Sequence, residues 1–248
     1  MPHRAGSVKA QAMAFLPFSR LFSIRSGRFA RFVFGVLLTL GLVLGSLLVA
    51  YRFLAPVSTL MAWHEIKGDE VDRHYQPLAR IAPILAASVI ASEDARFCQH
   101  HGVDWQSLSE VMDKAKARAD GPSRGASTIT MQTAKNLFLW PSRSVLRKTL
   151  EIPLALLIDA VWPKRRILEI YLNIAEWGDG LFGAEAAARH YFGKSADALD
   201  RREAALLATA LPNPMRRNPA SPTRLHRLLA ARIAARAGAM GADITCLK

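Results

Sequence analysis

The stretch "SEDARFCQHHG", residues 92–102, places a Glu-Asp pair, a phenylalanine and two histidines directly behind the apolar run "IAPILAASVIA" at 81–91. What those charges do depends on the local fold. Pro83 is tolerated in a first helical turn, and alanines and aliphatics then recur at three- and four-residue spacing up to Phe97, which predicts a helix. If that helix continues through the quoted stretch, Glu93, Phe97 and His100 follow one another at spacings of four and three and share a face. A partly desolvated carboxylate beside an aromatic ring has its pKa raised toward neutrality, which suits a general acid or base. The competing reading is a charged helix end with a satisfied histidine. A metal site is weaker, because the adjacent His100 and His101 cannot both face one ion from a helix.

Downstream, the pattern stays helical. "VDWQSLSEVMDKAKARA" (103–119) reads as a helix with Asp104 as N-cap, and "DGPSRG" (120–125) as a mobile loop. "GASTITMQTAKNLFLW" (125–140) reads as loop then helix, with Ser127 as N-cap. Residues 141–162 form a helix interrupted at Pro153, whose missing N–H cannot bond residue 149. Pro163 opens the next helix, Gly193 closes "GAEAAARHYFG", and "PNP" follows "RREAALLATAL". Almost nothing alternates with period two and no internal repeat is present, so the fold class is mainly α.

Upstream, "FVFGVLLTLGLVLGSLLVAY" (32–51) carries no charge and is long enough to span a bilayer. Arg4, Lys9, Arg20, Arg25, Arg28 and Arg31 precede it, and no acidic residue appears before Glu65. That bias keeps the N-terminus cytoplasmic and puts the globular part outside. A cleaved signal peptide fits less well, because the run exceeds a signal core and no clear cleavage site follows. The expected organisation is a basic cytoplasmic segment at 1–31, a transmembrane anchor at 32–52, a juxtamembrane linker at 53–77, one domain at 78–240 and a tail at 241–248. Cys98 and Cys246 are a thin case for a disulfide framework and read as unpaired.

The net charge of +13 suggests anionic partners. No zinc spacing, RNA-binding signature or aromatic-basic interleaving supports nucleic acid, so lipid headgroups or a phosphorylated lipid fit better. The small-residue turn before Ser127 opens a helix whose free N–H groups favour an anion. Thr128, Gln132 and Lys135 then form one polar stripe opposite Ile129, Leu137 and Phe138, and Arg143, Arg147 and Glu151 repeat the device at spacings of four. Together they can grip a pyrophosphate, with Glu151 orienting the arginines or holding a divalent cation such as Mg or Mn. An exposed helix laced with ion pairs is the alternative for Arg147 and Glu151. No organic cofactor is indicated. "TRLHRLLAARIAARAG" (223–238) reads as a closing helix packed on the domain, with binding to anionic lipid as the alternative.

Several of these stretches occur in an order that resembles a known family. "EDARFCQHHG" matches EDxxFxxHxG, "GASTITMQ" resembles GGSTITQQ, "RKTLE" matches RKxxE, "RILEIYLN" matches RILExYLN, and "GAEAAARHYFGK" resembles the block that follows. These are the ordered signatures of the peptidoglycan glycosyltransferases, and the resemblance runs from about Ile81 to Asn218. Without a transpeptidase domain the chain looks like a monofunctional biosynthetic member. The resemblance implies a lysozyme-like helical domain that polymerises lipid II into glycan strands. It casts Glu93 as general base and Glu151 as the second carboxylate, near the leaving pyrophosphate and a divalent metal. Ser127, Gln132, Lys135, Arg143 and Arg147 fall on phosphate-contacting positions, with Thr128 beside them; Asp94, Phe97, His100 and Asn173 shape the site. Implied partners are lipid II, the nascent glycan chain, the inner membrane and cell-wall synthesis or division proteins.

Two positions depart from the pattern. Ala126 replaces a glycine, so the loop must avoid positive φ there, and Met131 replaces a glutamine. Two other functions stay open on residues alone: a lytic enzyme that uses one glutamic acid to cleave glycan, and a silent membrane-anchored scaffold. The cationic set separates the first of these from a transferase, since cleaving a polymer releases no pyrophosphate.

Overall fold

The computed structural model describes residues 19–116, 126–142, 144–241 and 244–247, with side chains from residue 27 onward and to residue 113 in the segment before the 117–125 gap. The chain divides into two units, residues 1–47 and 48–248. The first contains most of helix α1, Ser19–Tyr51. Its apolar part, Gly27–Tyr51, is 25 residues long, has mean hydropathy 2.6 over its most apolar stretch, and is long and apolar enough to cross a membrane. The helix starts well before the charge-free run, because its arginines continue a helical backbone as readily as leucine does.

The second unit is built from nine further helices among the described residues: α2 (Thr59–Lys67), α3 (Pro83–Glu93), α4 (Trp105–Lys116), α5 (Ile129–Phe138), α6 (Val145–Val161), α7 (Lys164–Ile174), α8 (Ala184–Phe192), α9 (Arg201–Ala210) and α10 (Arg224–Ala239). Three short strands, β1 (Asp72–Arg73), β2 (Glu176–Gly178) and β3 (Leu181–Phe182), form a small sheet in the order β1-β3-β2. Period-two reasoning had too few residues to find strands of two or three. Helices α3 and α7 are the core: Leu85 through Ala91 and Ile167, Leu168 and Ile170 through Ile174 are buried. Packed side by side with α5, α9 and α10, they bring the ends of several helices to one cleft.

The stretch expected as a linker, 53–77, is folded. Asn173 receives a hydrogen bond from the Gln76 amide at 2.8 Å and donates to the Gln76 and Glu169 carbonyls, while Glu169 accepts from the Tyr75 hydroxyl and the Leu78 amide. Arg166 reaches the Tyr51 carbonyl, and the Trp162 indole donates to Leu48 O at 2.7 Å. "RILEIYLN" therefore clamps residues 51–78 against α7, and the Asn173 amide is spent on that clamp rather than on the walls of the cleft.

Helix α6 runs through Pro153 without a break. Pro153 and Thr149 are both exposed, so the carbonyl freed by the missing N–H meets solvent, and buried Ala155 and Ile158 hold the helix in place. The loop expected at 120–125 lies outside the described residues. Helix α10 is a closing helix: His226, Ala230, Ile233 and Ala237 are buried against α9 and α3.

The two cysteines, expected to be unpaired, form a disulfide with Cα atoms 5.6 Å apart. The partners are 148 residues apart, so nothing local in the sequence brings them together. The bond ties the loop that follows Glu93 to the C-terminal turn. Cys246→Ser is expected to cost about 2–4 kcal/mol, the usual value for a bridge closing a long loop. Thermal unfolding with and without reductant measures it: reductant should lower the wild-type midpoint and leave the variant's unmoved.

Candidate active site

Helix α3 ends at Glu93, so Phe97 and His100 do not extend its face as the spacing suggested. Asp94 turns the chain instead. Its buried carboxylate accepts from the Ile129 amide at 3.0 Å and sits 2.9 and 3.1 Å from His100 Nε2, tying the end of α3 to the start of α5. Phe97 is buried beneath this loop, its ring edge-on to His100. Gly102 closes the loop at φ +77, where an added Cβ would lie 2.5 Å from the Ala155 carbonyl oxygen on α6. Asp94, Phe97 and His100 thus hold the loop that follows Glu93, as their spacing alone did not require.

The N-cap of α5 is Thr128, not Ser127. Its hydroxyl accepts from the Met131 amide at 3.1 Å and donates to the Gly102 carbonyl at 2.6 Å. The side chain is therefore buried and committed to the loop, and is not free to meet a ligand. Capping by Thr128 leaves Ser127 outside the helix and half-buried at the cleft. Met131, the position where polarity was lost, is buried in the core, and among the described residues no non-glycine has positive φ, Ala126 included.

One turn further along α5, Gln132 donates from Nε2 to Glu93 Oε2 at 2.9 Å. The Tyr171 hydroxyl donates to Gln132 Oε1 at 3.0 Å, which fixes the amide with its NH₂ toward Glu93. Ser92 Oγ lies 3.3 Å from Glu93 Oε1. Burial pushes the Glu93 carboxyl above the usual carboxylate range, against the hydrogen bonds from Gln132 and Ser92, which favour the ionised form. Burial likewise raises the Tyr171 phenol, so it stays a donor.

Glu93 lines a cleft of about 540 Å³ together with Ser127, Gln132, Arg217, Arg232 and Arg236. The three arginines come from the loop after α9 and from α10, and sequence reasoning missed them. Arg232 and Arg236 stand four apart, which was the available signal, but the helix was read as a closing helix with anionic lipid as the alternative partner of its charges, not as a wall of the site.

The second cluster lies on α6. Glu151 is 2% exposed; Arg147 donates to its Oε1, and Lys148 Nζ lies 2.7 Å from its Oε2. Lys148 also donates to Ser127 Oγ. Lys135 projects from α5 toward this group; burial lowers its pKa, Glu151 opposes that, and the neighbouring charges of Arg147 and Lys148 add to it. Lys148, adjacent to the Arg147–Glu151 pair, is a further residue missed from sequence, because that pair at i, i+4 already looked complete. Arg143 lies outside the described residues. Ser127 joins the clusters, since it lines the Glu93 cleft and accepts from Lys148.

Comparison with known proteins shows the family. A family model described as "Transglycosylase" matches residues 60–238. A "biosynthetic peptidoglycan transglycosylase" of Brucella suis is 54% identical over 215 residues, covering 86% of this chain and 95% of the relative. Proteins with the same description from Nitrobacter hamburgensis and Rhodospirillum centenum are 58% identical over 191 residues and 54% over 208. The first spans 75% of this chain and 83% of the relative, and the second 83% and 89%. The matched span takes in well over half of the residues, and the chain belongs to the transglycosylase family of peptidoglycan glycosyltransferases.

Proposed function

We propose that Glu93 is the general base of lipid II polymerisation and that Lys135, Arg147 and Lys148 neutralise the diphosphate that leaves. The observation that carries this reading is the shared wall. The carboxylate and the cation cluster meet through Ser127, so proton removal and leaving-group departure can occur within one bound substrate pair.

The acceptor's sugar 4-hydroxyl gives its proton to the Glu93 carboxylate as its oxygen attacks the anomeric carbon of the lipid-linked donor. The bond from that carbon to the diphosphate oxygen breaks on the opposite face, inverting the centre and releasing polyprenyl pyrophosphate. A carboxylate with a raised pKa is a stronger base, and Gln132, held by Tyr171, keeps it aimed. With Glu151 ionised, the three cations leave a net charge of about +2 beside a group whose negative charge grows in the transition state, where fixed cations act most strongly. Arg217, Arg232 and Arg236 line the Glu93 side of the cleft and suit the anionic groups of the acceptor. A divalent ion at Glu151 does not fit this arrangement: both carboxylate oxygens already accept from cations, and the two basic residues supply the charge such an ion would bring.

We place the domain on the outer face of the inner membrane, with the N-terminus cytoplasmic. Support comes from the basic residues before the charge-free run at 32–51, from a disulfide that persists in an oxidising compartment, and from the exposed Val145, Leu146, Leu150 and Leu157 of α6, which suit a bilayer surface where a lipid-linked substrate enters.

The test is a paired assay on the full chain in detergent: labelled lipid II is expected to be polymerised, and purified wall material left intact. Solubilised wall with untouched lipid II would establish the lytic reading instead. The acid limb of the rate profile is a second check. Because the base works only when ionised, activity should fall as pH drops through a midpoint above the ordinary carboxylate range, and Gln132→Leu, by removing a bond to the charged form, should move that midpoint upward.

A further inference from the structure

A second group of ionisable side chains has no part in this chemistry. His64 on α2, Glu176 on β2 and Asp179 in the turn before β3 each offer a ligand atom within 4.8 Å of the other two; among the described residues no other three His, Cys, Asp or Glu side chains converge this way. His64 Nε2 stands 3.4 Å from Glu176 Oε1, and Asp69 Oδ2 lies 3.2 Å from His64 Nδ1. That Nδ1 is nonetheless buried without a hydrogen bond of good geometry. None of the three lines the Glu93 cleft.

We propose that His64, Glu176 and Asp179 form a divalent metal-ion site, with Mn²⁺ or Zn²⁺ as its occupant. One imidazole nitrogen and two carboxylates suit a borderline ion, and the exposed Asp179 leaves a side open to water ligands and to entry of the ion. Asp69 stands where an outer carboxylate would receive the Nδ1 proton and direct Nε2 at the metal, the usual second layer around a ligating histidine. The site is rigidly built. Gly180, at φ +66, lets the β2–β3 turn press on the segment after α2, where a Cβ would come within 2.2 Å of the Glu70 carbonyl oxygen, and Asp72 N bonds Gly180 O at 2.9 Å. An ion there would staple α2 to the sheet. Glu176 also feels the charge of Lys135, so the staple lies within electrostatic reach of the diphosphate cluster. The contrast with Glu151 is chemical: that carboxylate is saturated by cations, whereas Glu176 has only a 3.4 Å approach from the Gly180 amide and one imidazole.

The experiment uses the full chain in detergent micelles, stripped with chelator, then titrated separately with Mn²⁺ and Zn²⁺ alone. One ion per chain is expected, and bound Mn²⁺ should show ¹⁴N modulation in pulsed electron paramagnetic resonance, reporting the imidazole. His64→Gln should abolish that nitrogen signal. Asp179→Asn, at an exposed position that the fold does not need, should weaken binding by at least about tenfold. Glu151→Gln should change neither. Failure of both ions to bind stoichiometrically, binding unaffected by Asp179→Asn, or loss of binding in Glu151→Gln at a temperature where that variant stays folded, would each overturn the site. The proposal stands apart from the assignment of Glu93, since no readout here is activity.

Discussion

Glu93→Gln is expected to lower the rate of glycan polymerisation by about 10²–10⁴-fold, the usual contribution of a positioned general base. The amide keeps the shape and still accepts from Gln132, so substrate affinity should change little. Stability should move the other way. Burial raises the pKa of Glu93, so the folded state carries a penalty for the ionised carboxylate. That penalty is fully present above the folded-state pKa and vanishes below the unfolded one, where wild type and variant are both neutral. At neutral pH the variant should therefore unfold at the same or a higher temperature, with the difference disappearing in acid. Activity lost while stability is kept is the signature of a residue that suits reaction better than folding. A variant that polymerises lipid II at the wild-type rate, or that loses activity only because it melts, would remove Glu93 from the mechanism.

How much of this was legible in the sequence depends on how far apart the interacting residues lie. The apolar N-terminal helix and the apolar periodicity of α3 and α7 are local, and they were readable. So was the stripe of Gln132 and Lys135, whose spacing of three needs only a helix. The end of α3 was not. The apolar and polar spacing continues numerically to His100, but Asp94 is captured by His100 and by the Ile129 amide, and those tertiary bonds outweigh the propensity to continue. The N-cap shifted by one residue for a similar reason: serine is the better cap by type, and the Gly102 carbonyl overrides that preference by taking the Thr128 hydroxyl. Cys98 and Cys246 are 148 residues apart, and the arginines of α10 gain meaning only when α10 closes over the end of α3.

The Glu151 cluster yields the second large effect, and its two halves can be separated. Glu151→Gln removes a buried negative charge from among Arg147, Lys148 and Lys135, and breaking a buried ion pair on one side commonly costs about 3–5 kcal/mol. The variant should melt earlier and polymerise more slowly, because the cations it orients are no longer held. Lys148→Met tests the cations themselves. The Lys148 side chain is 45% exposed, so the substitution leaves little uncompensated charge buried and should change stability much less. Its rate should still fall by about 10²–10³-fold, the usual cost of one preorganised donor at developing charge, with the loss in kcat rather than KM. In the double variant the rate loss, as a free energy, should be smaller than the sum of the two single losses, because both act through the same arrangement around one leaving group. Fully additive losses, or a Lys148→Met enzyme impaired only in KM, would place this cluster in ground-state binding and take the departing diphosphate out of its reach.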